Sequence, residues 1–211
     1  LGVFEEAVNA AVDVAKRTVI FNKGSLERDT MNSFKTTYNQ ALIIEIKKHP
    51  NIELCNYQNT YGWIIIKRLE NDHPNLLEAV NTNKALQKFA CLTHSIGDFT
   101  MLFNPNIEKY KSNNGNPSFN VGRYRPTKDY WDLSLDLIRN ELGDDKLYKA
   151  YIKTFSLEEC VDASFNAVPL FTRKVSPDKP EPQTMMELEE FLNNVNHIIE
   201  TRGKKMISML R

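Results

Sequence analysis

The strongest constraint on the fold lies in residues 184–210. Leu188, Phe191, Leu192, Val195, Ile199, Met206 and Leu210 recur there at helical spacing, and Thr184-x-x-Glu187 supplies a capping-box start. An amphipathic helix of this length must lay its apolar stripe on a core or on a partner, because a helix in isolation is marginal in water. Arg202 falls inside the stripe and His197 opposite it. A proline-rich connector at 175–183, VSPDKPEPQ, precedes the helix.

Most of the remaining chain shows the same periodicity. Residues 3–20 set Val3, Ala7, Ala11, Val14 and Thr18 on one side, with Gly24 as the stop signal. A second helix begins near Asp29-Thr30, carries Met31, Phe34, Tyr38, Ala41, Leu42 and Ile46, and ends at His49-Pro50-Asn51; Glu45, at the edge of its apolar arc, is expected to pair with a neighbouring base. Residues 52–69 are rich in aromatic and β-branched side chains and are assigned to a helix. Asn71-Asp72-His73-Pro74 then starts a helix that runs to about Leu92, since proline is tolerated in a first turn. Thr127 is placed to cap a helix to Leu142 with Trp131, Leu135, Ile138 and Leu142 inward; one or two short helices follow over 144–163, where Ser156-x-x-Glu159 offers a capping box. Residues 165–174 are expected to be extended or irregular. The reading is a mainly α chain, one domain over 1–211, an irregular helical bundle with a long polar loop at 104–126 and at most a small β element.

Composition narrows the function. Lysine plus arginine number 27 against 27 acids, so no global field draws the chain onto nucleic acid, and any such binding has to be local. Cys55, Cys91 and Cys160 are odd in number and form no C-x-x-C pair, which points to a reducing, cytoplasmic setting. The longest uncharged apolar cluster, at 63–66, is far short of a membrane span. The first residues, LGVFEEAVNAAVDVAKR, carry two glutamates where a signal peptide has its basic region.

Residues 89–132 hold more polar chemistry than a core requires. On the helix expected to reach Leu92, Asn83 and Gln87 fall within the apolar arc, as does His94 if the helix continues. Such a row implies an internal hydrogen-bond network, the commoner outcome, or a lined pocket. FTMLFN at 99–104 reads as a short strand or extended segment, and Arg123 and Arg125 flank Tyr124 at the end of the long loop. Asp129, Asp132 and Asp136 share one side of the next helix, expected to be a solvated face with Asp129 on the helix dipole. As chemistry, His94 with Asp98 supplies a general base and its orienting carboxylate, the catalytic candidates. Asn83, Gln87, Arg123, Arg125, Asp129 and Asp132 are the ligand-binding candidates, with the arginines as an anion clamp. The four histidines lack metal-ligand spacing, no metal site is assigned, and phosphate-loop, dinucleotide and serine-hydrolase signatures are missing, so no cofactor is identified.

Four of these segments, DTMNSF (29–34), HSIGDF (94–99), FNVGRY (119–124) and DYWDLSLDLI (129–138), resemble an uncharacterised family of bacterial proteins of unknown function, over residues 29–142. That resemblance implies no established activity. Separately, IGDFTMLFNPN (96–106) is similar to the I-G-N-L-T-L-L…N segment of certain HNH-type nucleases, with Asp98 where an asparagine is usual and no counterpart to the histidine motif that supplies the base. Three functions therefore stand as expectations. The first is a polar site for an anionic small molecule or nucleotide. The second is a non-catalytic interaction module that meets a protein partner through its first or last helix, and the third a divergent HNH-like nuclease.

Overall fold

Helix α1, Leu26–Ile46, buries Phe34, Tyr38, Ala41, Leu42 and Ile46, the apolar stripe that spacing puts on one of its faces. The structure is a computed structural model that describes residues 26–93, 95–98, 130–172 and 181–209. After α1 come α2 (Ile66–Asp72), α3 (Pro74–Asn81), α4 (Lys84–Leu92), α5 (Trp131–Leu142), α6 (Asp145–Thr154) and α7 (Met185–Ser208), with 3-10 turns at Leu54–Tyr57, Ile96–Asp98 and Glu158–Cys160. Among the described residues β structure is limited to two isolated bridges, so the chain is mainly α, as expected. No helix among them is long and apolar enough to cross a membrane. The expected helix at 3–20, the extended segment at 99–104 and the loop at 104–126 lie outside the described residues.

Helix α7 is the hub. It packs on α1, on α4 and on the turns Ile96–Asp98 and Glu158–Cys160, while α1 also meets α3 and α4. Leu188, Phe191, Leu192, Val195 and Ile199 are all buried along it, each contributing about 1.5–3 kcal/mol against conformational entropy. Its start keeps half of the expected capping box: Thr184 Oγ1 accepts from Glu187 N at 3.2 Å, while the Glu187 carboxylate accepts from Gln183 N, one residue before the cap, at 2.8 Å. At the end of α5, Gly143 takes φ 61°, the left-handed cap that stops a helix. Glu45 pairs with Lys48 at 2.6 Å and lies 3.7 Å from His49, as its position at the edge of the arc suggests.

Four local expectations are corrected. Thr127 does not cap the helix to Leu142, which begins at Trp131 with Tyr130 at its N-cap. Residues 74–92 form two helices, because Asn83 leaves the helical region (φ −67°, ψ 113°) and caps α4, a position its short amide prefers to a helix interior. Ser156-x-x-Glu159 makes no capping box: Ser156 sits at φ 53°, and the 3-10 turn Glu158–Cys160 that follows has Leu157 at its start and no side-chain cap. Residues 52–69 are a 3-10 turn, a tight loop and only the first residues of α2.

That tight loop occurs twice. Gln58 bridges Ile64 and Val161 bridges Ala167, both antiparallel, each just after a 3-10 turn. Asn59 Oδ1 accepts from Tyr61 N (2.9 Å) and Trp63 N (3.0 Å); Asp162 Oδ1 accepts from Ser164 N (2.8 Å) and Asn166 N (2.9 Å). The fourth residue from each bridge start is left-handed, Gly62 at φ 75° and Phe165 at φ 63°. A short polar side chain that satisfies two backbone donors outcompetes helix here, despite the β-branched run that follows the first loop. Phe165 holds its unfavourable φ under a clamp from Arg139, whose Nη1 donates to Phe165 O (3.4 Å) and Asn166 Oδ1 (3.1 Å).

Candidate functional site

The apolar stripe of α7 carries one cation inward. Arg202 is 1% exposed, and its long side chain places the guanidinium where three elements meet. Nε donates to Phe155 O at 3.0 Å, Nη1 donates to Gly97 O, and the guanidinium carbon lies 5.3 Å from the centre of the Trp131 ring. Burial draws its pKa down, opposed by Cys160, Tyr151 and Asp98. Of those three groups only the Asp98 carboxylate is ordinarily ionised at neutral pH, so it is the countercharge of this centre. A buried guanidinium without such partners costs several kcal/mol.

Gly97 makes the contact possible. A Cβ on it would fall 2.8 Å from Gly203 N and closer still to Ile199 O, where ordinary contact begins at 3.4 Å. The turn Ile96–Asp98 thus lies directly on the backbone of α7, an approach open to glycine alone. Asp98 N closes the turn onto Ser95 O at 3.0 Å.

Of the residues singled out by sequence, Asp98 and Asp132 come to this centre. Asp132, expected on a solvated face, is 4% exposed; Oδ1 accepts from Leu133 N (2.9 Å) and Oδ2 from Leu170 N (3.2 Å), fixing the 161–172 segment to the start of α5. A carboxylate in the first helical turn that also satisfies a distant backbone donor gains more there than in water. Asp136 does face solvent, and burial together with the charge of Asp132 raises its pKa. Cys160 is buried beside both charges; desolvation pushes its thiol up to about 12, against the pull of Arg202, so it is an inert core sulfur.

Asn83 and Gln87 are drawn elsewhere. Asn83 Oδ1 accepts from Leu86 N at 3.0 Å while Nδ2 donates to Glu189 Oε1 at 2.7 Å, tying α4 to α7. Gln87 Nε2 donates to Asn81 O at 2.7 Å and holds the α3–α4 junction. Both are half-buried, and their bonds make them a cap and a brace, the internal network that sequence weighed above a lined pocket. His94, Arg123, Arg125 and Asp129 lie outside the described residues. Arg202, which anchors the centre, was visible in sequence only as a cation inside an apolar stripe, a pattern that signals a buried partner.

No group of three or more histidines, cysteines or acids able to hold a metal ion occurs among the described residues. No family model matches the chain, and neither a curated protein nor a solved structure matches it.

Proposed function

We propose that this chain is a non-catalytic interaction module, with its polar cluster bracing the helices. The observation that carries this reading is the use made of the candidate side chains: Asn83, Gln87 and Asp132 all bond to backbone, and the Gly97–Asp98 turn docks on α7. A catalytic acid or base needs an oxygen or nitrogen presented to a substrate, and these groups point into the scaffold. A reducing cytoplasmic setting belongs to the same proposal, supported by three free thiols at Cys55, Cys91 and Cys160.

A second reading, a site for an anionic small molecule or nucleotide using His94, Arg123, Arg125 and Asp129, is favoured by one observation. Gly97 O and Trp131, which lie on either side of the stretch that carries both arginines, meet at Arg202. Trp131 Nε1 there is buried without a hydrogen-bond partner among the described residues. The divergent HNH-like nuclease is a special case of this reading and stays a proposal of lower rank.

A thermal-shift screen of wild type and Arg123→Ala against nucleotides, sugar phosphates and divalent ions separates the two. The module reading expects no shift that depends on Arg123, so wild type and Arg123→Ala respond alike. A ligand at a hundredfold excess over its dissociation constant stabilises by about 2.7 kcal/mol; such a shift in wild type, lost in Arg123→Ala, overturns the module in favour of the ligand site.

A further inference from the structure

Tyr61 is 85% exposed, the most exposed large apolar side chain among those described. An aromatic ring held in water is common on mobile loops, but this one stands on a pinned backbone. Asn59 Oδ1 receives Tyr61 N and Trp63 N. The carbonyl of Gly62 accepts from Asn39 Nδ2 (3.3 Å) and Gln58 Nε2 (3.2 Å), and Ile64 N donates to Asn39 Oδ1 (2.7 Å), which fastens the loop to α1. Gly62 supplies the left-handed turn without strain. The twin loop at 161–167 shares this backbone but carries Ser164 at the position equivalent to Tyr61, so the fold itself does not demand an aromatic there.

Within residues 54–69 the charged side chains have one sign, with Glu53, Glu70 and Asp72 lying just outside the stretch. Residues 54–69 contain no acid and carry exposed Lys67 and Arg68. Lys35, from α1, sets its ammonium 4.8 Å from the centre of the half-buried Trp63 ring, two residues from Tyr61. A rigid exposed aromatic face, with a cation over the ring two residues further along the same loop, matches a planar base attached to a phosphate. An acidic protein segment would satisfy the cations and leave the open face of Tyr61 without a stacking partner.

We propose that the 58–64 loop is a base-stacking platform for single-stranded nucleic acid, with Tyr61 under the base and Lys35 at the backbone phosphate. This names a partner for the interaction module and rests on that reading. The global charge balance of 27 against 27 is compatible with it, because one stacking ring and a few cations act locally. The expected affinity is modest and falls with salt.

The test is fluorescence anisotropy of a labelled oligothymidylate titrated with the whole chain at low salt, for wild type, Tyr61→Ala, Tyr61→Phe and Lys35→Ala. Tyr61→Ala should weaken binding about tenfold, while Tyr61→Phe keeps it, since the face and not the hydroxyl stacks. Lys35→Ala should reduce the slope of log affinity against log salt by about 0.7. Each variant is checked by thermal melting, where an exposed Tyr61 should leave the midpoint unmoved. Absence of binding, or equal binding by Tyr61→Ala, overturns the platform. So does Tyr61-dependent binding of a polyglutamate peptide without binding of the oligonucleotide, which would assign the loop to an acidic protein segment. Cleavage of the oligonucleotide in the presence of magnesium would overturn the non-catalytic reading alone and leave the platform standing.

Discussion

Gly97→Ala is the most informative single change, because it adds one methyl at the place where a turn rests on a helix backbone. The new Cβ would meet Gly203 N at 2.8 Å against an ordinary limit of 3.4 Å, with Ile199 O closer still. Neither neighbour is a flexible side chain, so the turn has to retreat by more than about 0.6 Å. Overpacking of this kind costs about 1–3 kcal/mol. The retreat also stretches the bond from Arg202 Nη1 to Gly97 O, and a hydrogen bond to a charged group is worth about 1.5–3 kcal/mol. We therefore expect a loss of about 3–5 kcal/mol in urea unfolding at neutral pH, with the midpoint moved and the slope unchanged. Arg202→Met removes the same bond and the buried cation. In that background Gly97→Ala should cost at least about 1 kcal/mol less, the coupling expected of residues in contact. A loss below about 1 kcal/mol for Gly97→Ala, or strict additivity with Arg202→Met, would refute the account of this junction.

Asn83→Ala removes both the α4 cap and the bond to Glu189 and should cost about 1–2 kcal/mol in urea unfolding, with Asn83→Asp recovering the cap but placing an acid against Glu189. Burial raises the phenols of Tyr38 and Tyr148 to about 12 from 10.0; the native state therefore holds those protons longer than the unfolded chain, and this part of the stability is present below about pH 10 and lost as pH rises toward 12. Thermal melts between neutral and strongly alkaline pH check this, together with ultraviolet titration, in which both phenols should ionise only with unfolding. Lys88 and Lys204 hold Glu200 at about 2 against an ordinary 4.5, so the exposed network joining α4 to α7 contributes above about pH 4.5 and is lost as pH falls toward 2. Lys88→Ala should flatten that limb of the stability profile, and high salt should do the same.

Legibility from sequence followed the range of the interactions. The α7 stripe from Leu188 to Ile199 and the Thr184 cap at its start depend on residues within a few positions of each other, and both appear as expected. The Asn83 break depends on a local competition between helix and cap that periodicity alone scores wrongly, since an asparagine in an apolar arc fits a continuous helix as well as a new one. The 58–64 and 161–167 loops were missed for a related reason: their determinants are single Asn and Asp side chains, while the apolar run from Trp63 to Ile66 outweighs them in any pattern count. Sequence placed Asp132 on a solvated face because helical geometry cannot know that Leu170 N, from a distant segment, lies across from it.

The same limit applies to buried charge, and Arg202 is its clearest case. A helical wheel puts this arginine among Ile199, Val195 and Leu192 and stops there. Its partners, Gly97 O, Phe155 O and Trp131, come from three separate stretches of chain. Two of those stretches lead into and out of residues 99–129. Gly97 O and Trp131, on either side of residues 99–129, are both held at one guanidinium. Any function carried by Arg123 or Arg125 should then respond to Arg202→Met through geometry. Lysine would not rescue it, because a single ammonium lacks the planar fork that bonds two carbonyls from separate stretches while lying beside an indole.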